Sequence, residues 1–432
     1  MASLFEWRLF WALSMKSNVK IGFLGSMNSM PMTYALKFKG DGFDVRYVVE
    51  SDSDNYLMRP EHQYPKLLSY PYPEWIVEIP WVNNLINYGL LPYSNRAAVD
   101  AMADRDVIFL NDYGIALAPW LPKHSIKVAL SSGGDIDQTC DWSIVPSQAR
   151  AALPGFLRPL WWLFSIRRTL IQRRGLRLCS AVSYFPEGLN PSGDDLLQNL
   201  VPQPPWKIIP RYDVSFHAVG TSLAETHRRQ LTEILVGVRF KINTVKGAEI
   251  EYKGNDIILR ALSVYRRRNP SVKIHLIRKG DAIDIQAAEK LCEELDIGGS
   301  VIWHEPMPLE SLFDLYRQSD VCIDQVGSHW MGAIGCYALH LGRPLIANAR
   351  PEVMERFWGE KSPVLNAVNE SQIVNHLIDC EDPCRRALMG FEGNRFASMH
   401  LDVGKTYEKL KDFVVASTAK KSKCDLFFAS AD

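Results

Sequence analysis

The sequence predicts two doubly wound α/β domains in tandem. Three observations carry that prediction. The chain has 432 residues, enough for about two domains of ordinary size. Short apolar runs alternate strictly with amphipathic segments over residues 234–349, the pattern of a parallel sheet covered by crossover helices. A proline-rich stretch, LVPQPPWKIIPRYD at 200–213, separates this region from an earlier one of the same kind.

The first half opens with VKIGFL (19–24), a buried strand that ends at Gly25. A helix over 31–39, a GDG turn and a strand over Val45–Val49 complete a βαβ unit. DRDVIFLND (104–112) and IKVALSSGGD (126–135) supply two further strands, each ending in small or polar residues. Ligands of such sheets sit beyond the carboxyl ends of the strands. In the second half, ILVGVRF (234–240) is a strand. YKGNDIILRALSVYRRRNP (252–270) is a helix stopped by Asn269-Pro270, and VKIHLIRKG (272–280) is a strand. The alternation continues through DIQAAEKLCEELDI, SVIWHEPMP, LESLFDLYRQS and DVCIDQV. The expected division is 1–210, 211–410 and a loosely ordered tail at 411–432, with a ligand-binding cleft between the two domains.

Hydrophobic residues make up 47% of the chain and charged residues 23%, a globular composition. Lys+Arg and Asp+Glu are equal at 49 each, which argues against nucleic acid as a partner. None of the eight cysteines forms a CxxC pair, so the sequence predicts no zinc site and a reduced, cytoplasmic setting. The N-terminal MASLFEWRLFWALSM is apolar but contains Glu6 and Arg8 and is too short to span a bilayer. A soluble or peripheral protein is expected.

Residues 143–186 depart from the overall balance. They hold no Asp or Glu and seven arginines, at 150, 158, 167, 168, 173, 174 and 177. On a helix, Leu157, Leu160, Trp161, Phe164 and Ile171 share one side. Three readings stand: a core-facing helix with a solvated basic face, a segment (153–178) that docks on anionic lipid headgroups, and, last, a nucleic-acid-binding segment.

HWMGAIGCYALHLGRPLIANA (329–349) places Gly332, Ala333 and Gly335 at the start of a helix between two strands. Glycine inside a helix costs about 1 kcal/mol relative to alanine. Two causes compete here. An anion drawn to the exposed N–H groups of the helix start would need close access; tight helix–sheet packing also favours small residues.

The run SDVCIDQVGSHWMGAIGCYALHLGRPLIANA resembles the nucleotide-sugar signature of GT-B glycosyltransferases of the family 4 type. A subgroup carries Asp-Gln, then Gly-Trp-Tyr-Gly, then Glu-Ala-Met-Ala-x-Gly-x-Pro. This chain matches at Asp324, Gln325, Trp330, Gly332, Ala338, Gly342 and Pro344. Arg239 and Lys253-Gly254 fill the family's strand-end Arg and helix-start Lys-Gly, and the resemblance covers about residues 230–350. It implies a GT-B architecture, two Rossmann-like domains facing across a cleft. It also implies transfer of a sugar, with retention, from a nucleoside-diphosphate sugar to a glycan or lipid-linked acceptor, with no cofactor or metal required. The expected catalytic residues are Arg239, Lys253 and His329. Donor binding would fall to Glu305, Met307, Trp330, Met331, Gly332, Ala333 and Tyr337. Gly25, Ser26, Asn28 and Asp135 would line the acceptor side. Arg239 and Lys253 would offset the charge on the departing diphosphate. The family's two glutamates, eight positions apart, fall on His329 and Tyr337, a departure that touches donor identity. The alternatives are a nucleotide-sugar epimerase of the same fold and a non-catalytic sugar-binding relative. The basic aromatic segment would hold such an enzyme at the inner face of the cell membrane, where a lipid-linked acceptor sits.

Two DxD-like runs, Asp52-Ser53-Asp54 and Asp135-Ile136-Asp137, read as loop carboxylates. No GxGxxG or GxxxxGK[ST] is present, which argues against dehydrogenase and P-loop chemistry.

Overall fold

A computed structural model describes residues 19–50, 58–80, 95–145, 155–200, 207–216, 230–243, 252–328 and 330–429. Two compact units divide the chain: Met1–Tyr212 together with Val403–Asp432, and Asp213–Asp402.

The first unit holds a parallel sheet of order β3-β2-β1-β4-β5-β6-β7. Its strands are β1 (Lys20–Leu24), β2 (Asp44–Glu50), β3 (Ile76–Ile79), β4 (Val107–Leu110), β5 (Ile126–Leu130), β6 (Ala181–Tyr184) and β7 (Lys207–Pro210). The central strands are apolar on both faces, as a sheet covered on both sides requires. Ile21, Phe23, Val107 and Phe109 enter one core, and Leu24, Ile108 and Leu110 the other. Helix α1 (Met30–Gly40) covers the first face through Tyr34, Ala35 and Phe38. The proline-rich stretch expected to link the domains contributes β7, paired with β6 over Lys207–Pro210. An edge strand tolerates Pro210, because no further strand needs its missing N–H.

Helix α2 (Arg158–Arg177) corrects the expected apolar stripe. Phe164 is buried, but so are Ser165, Thr169, Gln172 and Gly175. A Cβ on Gly175 would lie 1.8 Å from the Ile115 carbonyl oxygen, so the helix backbone presses directly on the segment after β4. Leu160 is 63% exposed, Leu163 67% and Leu170 55%, beside exposed Trp162, Arg167 and Arg174. The inward face mixes Phe164 and Leu176 with small and polar residues; the outward face carries leucine and arginine.

The second unit holds a parallel sheet of order β10-β9-β8-β11-β12-β13. Its strands are β8 (Glu233–Val236), β9 (Lys273–Ile277), β10 (Val301–His304), β11 (Val321–Ile323), β12 (Leu345–Ala347) and β13 (Leu365–Asn366). Helices α3 (Asn255–Arg268), α4 (Leu309–Gln318) and α5 (Ala333–His340) lie where the alternation predicts them. Ile258, Leu259, Leu262 and Tyr265 of α3 fall at helical spacing and enter the core with Ile234, Val236 and Ile274.

The last helix, α6 (Gly404–Ala429), replaces the loosely ordered tail expected at 411–432. Tyr407, Leu410 and Val414 recur every three or four residues and are buried in the core of the first unit. Tyr407 meets Phe38 edge-on at 4.9 Å, and Lys411 pairs with Asp41 at 3.0 Å. The chain thus returns to its first domain, and the second ends at Asp402 rather than at 410.

Candidate functional site

The site candidates of the second unit gather beyond the carboxyl ends of β8, β9 and β11. The loop before α3 is bound to the loop after β11. The carbonyl of Lys253 accepts the N–H groups of Val326 and Gly327, each at 3.1 Å, and that of Tyr252 accepts Ser328 N–H at 3.1 Å. Gly254 has φ +76°, and a Cβ there would lie 2.6 Å from Val326 Cγ2 and 2.9 Å from Gly327 N. Glycine is required on both counts, and its close approach holds Lys253 against the β11 loop.

That loop begins with Asp324, whose side chain is buried. Its Oδ2 accepts the N–H of Gly332 at 2.5 Å and of Gly335 at 3.2 Å, and its Oδ1 accepts Gln325 N–H at 2.8 Å. Burial pushes this carboxyl's pKa up, opposed by the three amides and by the charge on Lys253. Glycine at 335 now has a cause. A Cβ on Gly335 would lie 2.8 Å from Leu345 Cδ2 and 3.0 Å from Asp324 Oδ2. On the sheet side, a Cβ on Gly237 would lie 2.4 Å from Ile334 Cγ2. Two amides expected to meet an outside phosphate are committed instead to a carboxylate of the chain itself. Ala333 remains exposed at the helix start.

Arg239 follows β8 and Lys279 follows β9. An isolated parallel bridge joins Phe240 to Gly280, with Phe240 N–H donating to the Lys279 carbonyl at 2.8 Å. Phe240 is buried and meets Trp303 at 5.6 Å; side chains alternate along an extended chain, so Arg239 faces the other way. Asn255 positions this loop, donating to the Arg239 carbonyl at 3.3 Å and accepting Lys241 N–H at 2.9 Å. Arg239 and Lys279 are both exposed, and neither side chain has a hydrogen bond or ion pair among the described residues. Desolvation first, and the charge on Arg239 second, push the Lys279 pKa down against the pull of Asp324. Lys253 and Lys279 thus both act on Asp324, and Arg239 on its neighbour Lys279. Sequence reading missed Lys279 and Asn255. The signal for Lys279 was its place two residues beyond a strand end next to the Arg239 strand.

Other candidates lie differently. Glu305 pairs with Arg278 at 2.9 Å, and Arg278 also holds Glu289 and covers the Trp303 ring at 5.2 Å. Met307 is half-buried. The side chains of Trp330 and Met331 are buried; Gln325 Nε2 donates to the Trp330 carbonyl, and Met331 N–H to the Asn348 carbonyl at 3.0 Å. These two residues brace the α5 start from inside rather than presenting side chains to a ligand. Tyr337 joins an aromatic group with Phe313 at 5.1 Å and Phe216 at 6.3 Å, and Phe216 stacks on His340. His329 lies outside the described residues, as do Asp52 and Asp54.

In the first unit, Gly25 has φ +98°, and a Cβ there would lie 1.9 Å from the Asn111 carbonyl oxygen. Asn111 knits three strand ends together. It accepts Met27 N–H at 2.9 Å and donates to the Leu130 carbonyl at 2.7 Å and to Ser132 Oγ at 2.8 Å. Ser26 is buried, and the Asn28 side chain lies outside the described residues. Asp135 is wholly buried and spends its oxygens on the local turn: Ser131 Oγ at 2.5 Å, Ser132 and Gly133 N–H at 3.1 Å and Asp112 N–H at 3.2 Å. That makes it a framework residue. Asp112, missed from sequence, is left-handed at φ +48°. Burial, then the charge of Asp135, pushes its carboxyl up to about 7. A left-handed non-glycine at a strand end is a strained position of the sort that collects at working sites.

No protein-family model matches the chain. Sucrose-phosphate synthase from Thermosynechococcus elongatus superposes with a TM-score of 0.66, over 93% of this chain and 100% of that one, at 12% identity. The fold is that of the GT-B glycosyltransferases. A second GT-B match is Anabaena HepE, solved in complex with UDP and glucose, with a TM-score of 0.62 over 92% and 99% of the two chains at 12% identity. WaaG, a glycosyltransferase involved in lipopolysaccharide biosynthesis, gives 0.56 over 92% and 99% at 14% identity. By sequence, D-inositol 3-phosphate glycosyltransferase of Corynebacterium aurimucosum is 24% identical over 147 residues, spanning 33% of this chain and 34% of that protein. Among the described residues, no helix is long and apolar enough to cross a membrane, and no group of three or more His, Cys, Asp or Glu is placed to hold a metal.

Proposed function

We propose that the protein is a retaining glycosyltransferase that moves a sugar from a nucleoside-diphosphate sugar to a glycan or lipid-linked acceptor. One observation supports the reading: beyond the strand ends of the second unit, the Lys253 loop is bonded to the β11 loop that leads to α5, and Arg239 neighbours Lys279, which feels the charge of Asp324 in that same loop. The reaction breaks the bond between the anomeric carbon and the diphosphate. Negative charge grows on the departing oxygen, and two fixed cations stabilise it more than the ground state. In this reading, side-chain cations offset the leaving-group charge without a divalent ion. The likeness to HepE, solved with UDP and glucose, is in keeping with such a donor. Asp112 is the first-unit carboxylate suited to meet an acceptor hydroxyl, since Asp135 is consumed by its own turn.

Incubation of the purified protein with a panel of nucleotide-sugars, with and without glycan and lipid-linked acceptors, tests the reading. Acceptor-dependent release of nucleoside diphosphate is expected. Binding of nucleotide-sugars with no turnover on any acceptor would leave a sugar-binding relative instead.

The outward face of α2 supports an anionic membrane surface as a further partner, at the inner face of the cell membrane. Leu160, Leu163 and Leu170 supply apolar area, and Arg167 and Arg174 supply the charge that headgroups attract. A lipid-linked acceptor would be met there.

A further inference from the structure

We infer that Lys279 pairs with Arg239 to grip one phosphoryl group of a nucleoside diphosphate, a role that rests on the donor reading above. The geometry comes from the backbone. Phe240 and Gly280 are bridge partners in parallel register, so the residues before them, Arg239 and Lys279, are neighbours on the same side. Adjacent strands lie about 4.8 Å apart. The two cations borne on these adjacent backbones repel each other, and an anion seated between them relieves the repulsion. The backbone enforces the pairing. Phe240 is anchored in the core, and Gly280 has φ +148°, with a Cβ 2.7 Å from the Phe240 carbonyl oxygen were one present.

The neighbouring charges leave this place to a ligand. Asp324 faces Lys279 from the end of β11, but its oxygens are taken by the amides of Gln325, Gly332 and Gly335. Asp281, two residues on, is held by Lys241 at 2.7 Å. With two α5 amides committed to Asp324, the positive charge that a diphosphate needs comes from side chains. Burial and Arg239 lower the pKa of Lys279, so its ammonium loses its proton at a lower pH than an ordinary lysine, and affinity for the anion falls with it.

The test is calorimetric titration of the full chain with UDP, GDP and ADP and with the matching monophosphates, across neutral to alkaline pH. Lys279→Ala is expected to weaken binding of the preferred diphosphate about tenfold to a hundredfold, with a smaller loss for the monophosphate. Lys279→Arg, whose guanidinium stays charged, is expected to restore binding and flatten its alkaline decline. Circular dichroism and thermal melting check that both variants fold. Undiminished diphosphate binding by Lys279→Ala, or an alkaline decline unchanged in Lys279→Arg, overturns the role of Lys279 while leaving the donor reading intact. Absence of binding by the unmodified chain to any of these diphosphates would remove both.

Discussion

The carboxylate of Asp324 accepts the backbone N–H of Gly332 at 2.5 Å. This contact caps the α5 start from within the chain and sets a carboxylate where it acts on both Lys253 and Lys279. Asp324→Ala strands the amides of Gly332 and Gly335, and a buried unsatisfied donor costs about 1–3 kcal/mol. Urea unfolding should show a loss of at least that size, and Asp324→Asn, which keeps an acceptor oxygen, a smaller one. Equal stability of Asp324→Ala and the unmodified protein would mean that the cap contributes nothing.

The same packing makes Gly335 intolerant. A methyl group there meets Leu345 and Asp324 at 3.0 Å or less, and overpacking of this kind costs about 1–3 kcal/mol. Gly335→Ala should lower the denaturation midpoint accordingly. Gly299 has nothing within 4 Å of its would-be Cβ, so Gly299→Ala should stay within about 0.5 kcal/mol. Similar behaviour of the two variants would count against close packing as the reason for glycine at 335.

Arg239→Ala and Lys253→Ala should each reduce sugar transfer by about 10²–10³-fold, the scale for removing one group aimed at developing charge. Arg239 is exposed and Lys253 half-buried, so melting temperatures should change little. Steady-state rates near those of the unmodified enzyme would remove both residues from the leaving-group site.

Asp112 and Asp137 make stability depend on pH in an uncommon direction. Both carboxyls are pushed from an ordinary value of 3.8 up to about 7, first by burial. The folded state then holds protons that the unfolded state has released between about pH 4 and 7. Stability therefore falls as pH rises through that window, by up to about 1.4 kcal/mol per pH unit for each group, and levels off above it. Urea unfolding at pH 5 and pH 7 checks the slope. Asp112→Asn should remove the Asp112 share. Asp137 is hydrogen-bonded to Tyr184 and Asn190, each at 2.5 Å, so its replacement would disturb packing as well. A slope unaltered by Asp112→Asn would show that Asp112 titrates normally.

The outward face of α2 should bind vesicles containing anionic lipid and leave zwitterionic ones alone. Arg167→Gln with Arg174→Gln removes about 2 kcal/mol of attraction, roughly thirtyfold in partitioning. Arg168 and Arg173 are poorer targets. Arg168 is desolvated near Asp112, and Arg173 donates to the Cys140 carbonyl at 2.7 Å over the Trp142 ring. Sedimentation with vesicles reads the effect. Failure of the unmodified protein to bind anionic vesicles, or its self-association through this face, would overturn the membrane assignment.

The two α/β domains and their order were legible in the sequence, because apolar periodicity is local: Ile21 to Leu24 and Ile234 to Val236 are short apolar runs set between amphipathic helices, the pattern of buried strands. The resemblance to the GT-B signature also marked Arg239, Lys253 and Gly254, since that motif lies within short windows of sequence. Tertiary structure alone decided the rest. The partners of Gly335, namely Leu345 and Asp324, are set by the fold, so phosphate access and close packing looked alike until coordinates separated them. Lys279 became a neighbour of Arg239 only through strand register, forty residues apart. Leu160 faced outward and Ser165 inward because the close approach at Gly175 fixes the rotation of α2. Tyr407, Leu410 and Val414 became core only when α6 returned to the first domain. Burial and pairing between distant segments are properties of the folded chain, and no local pattern encodes them.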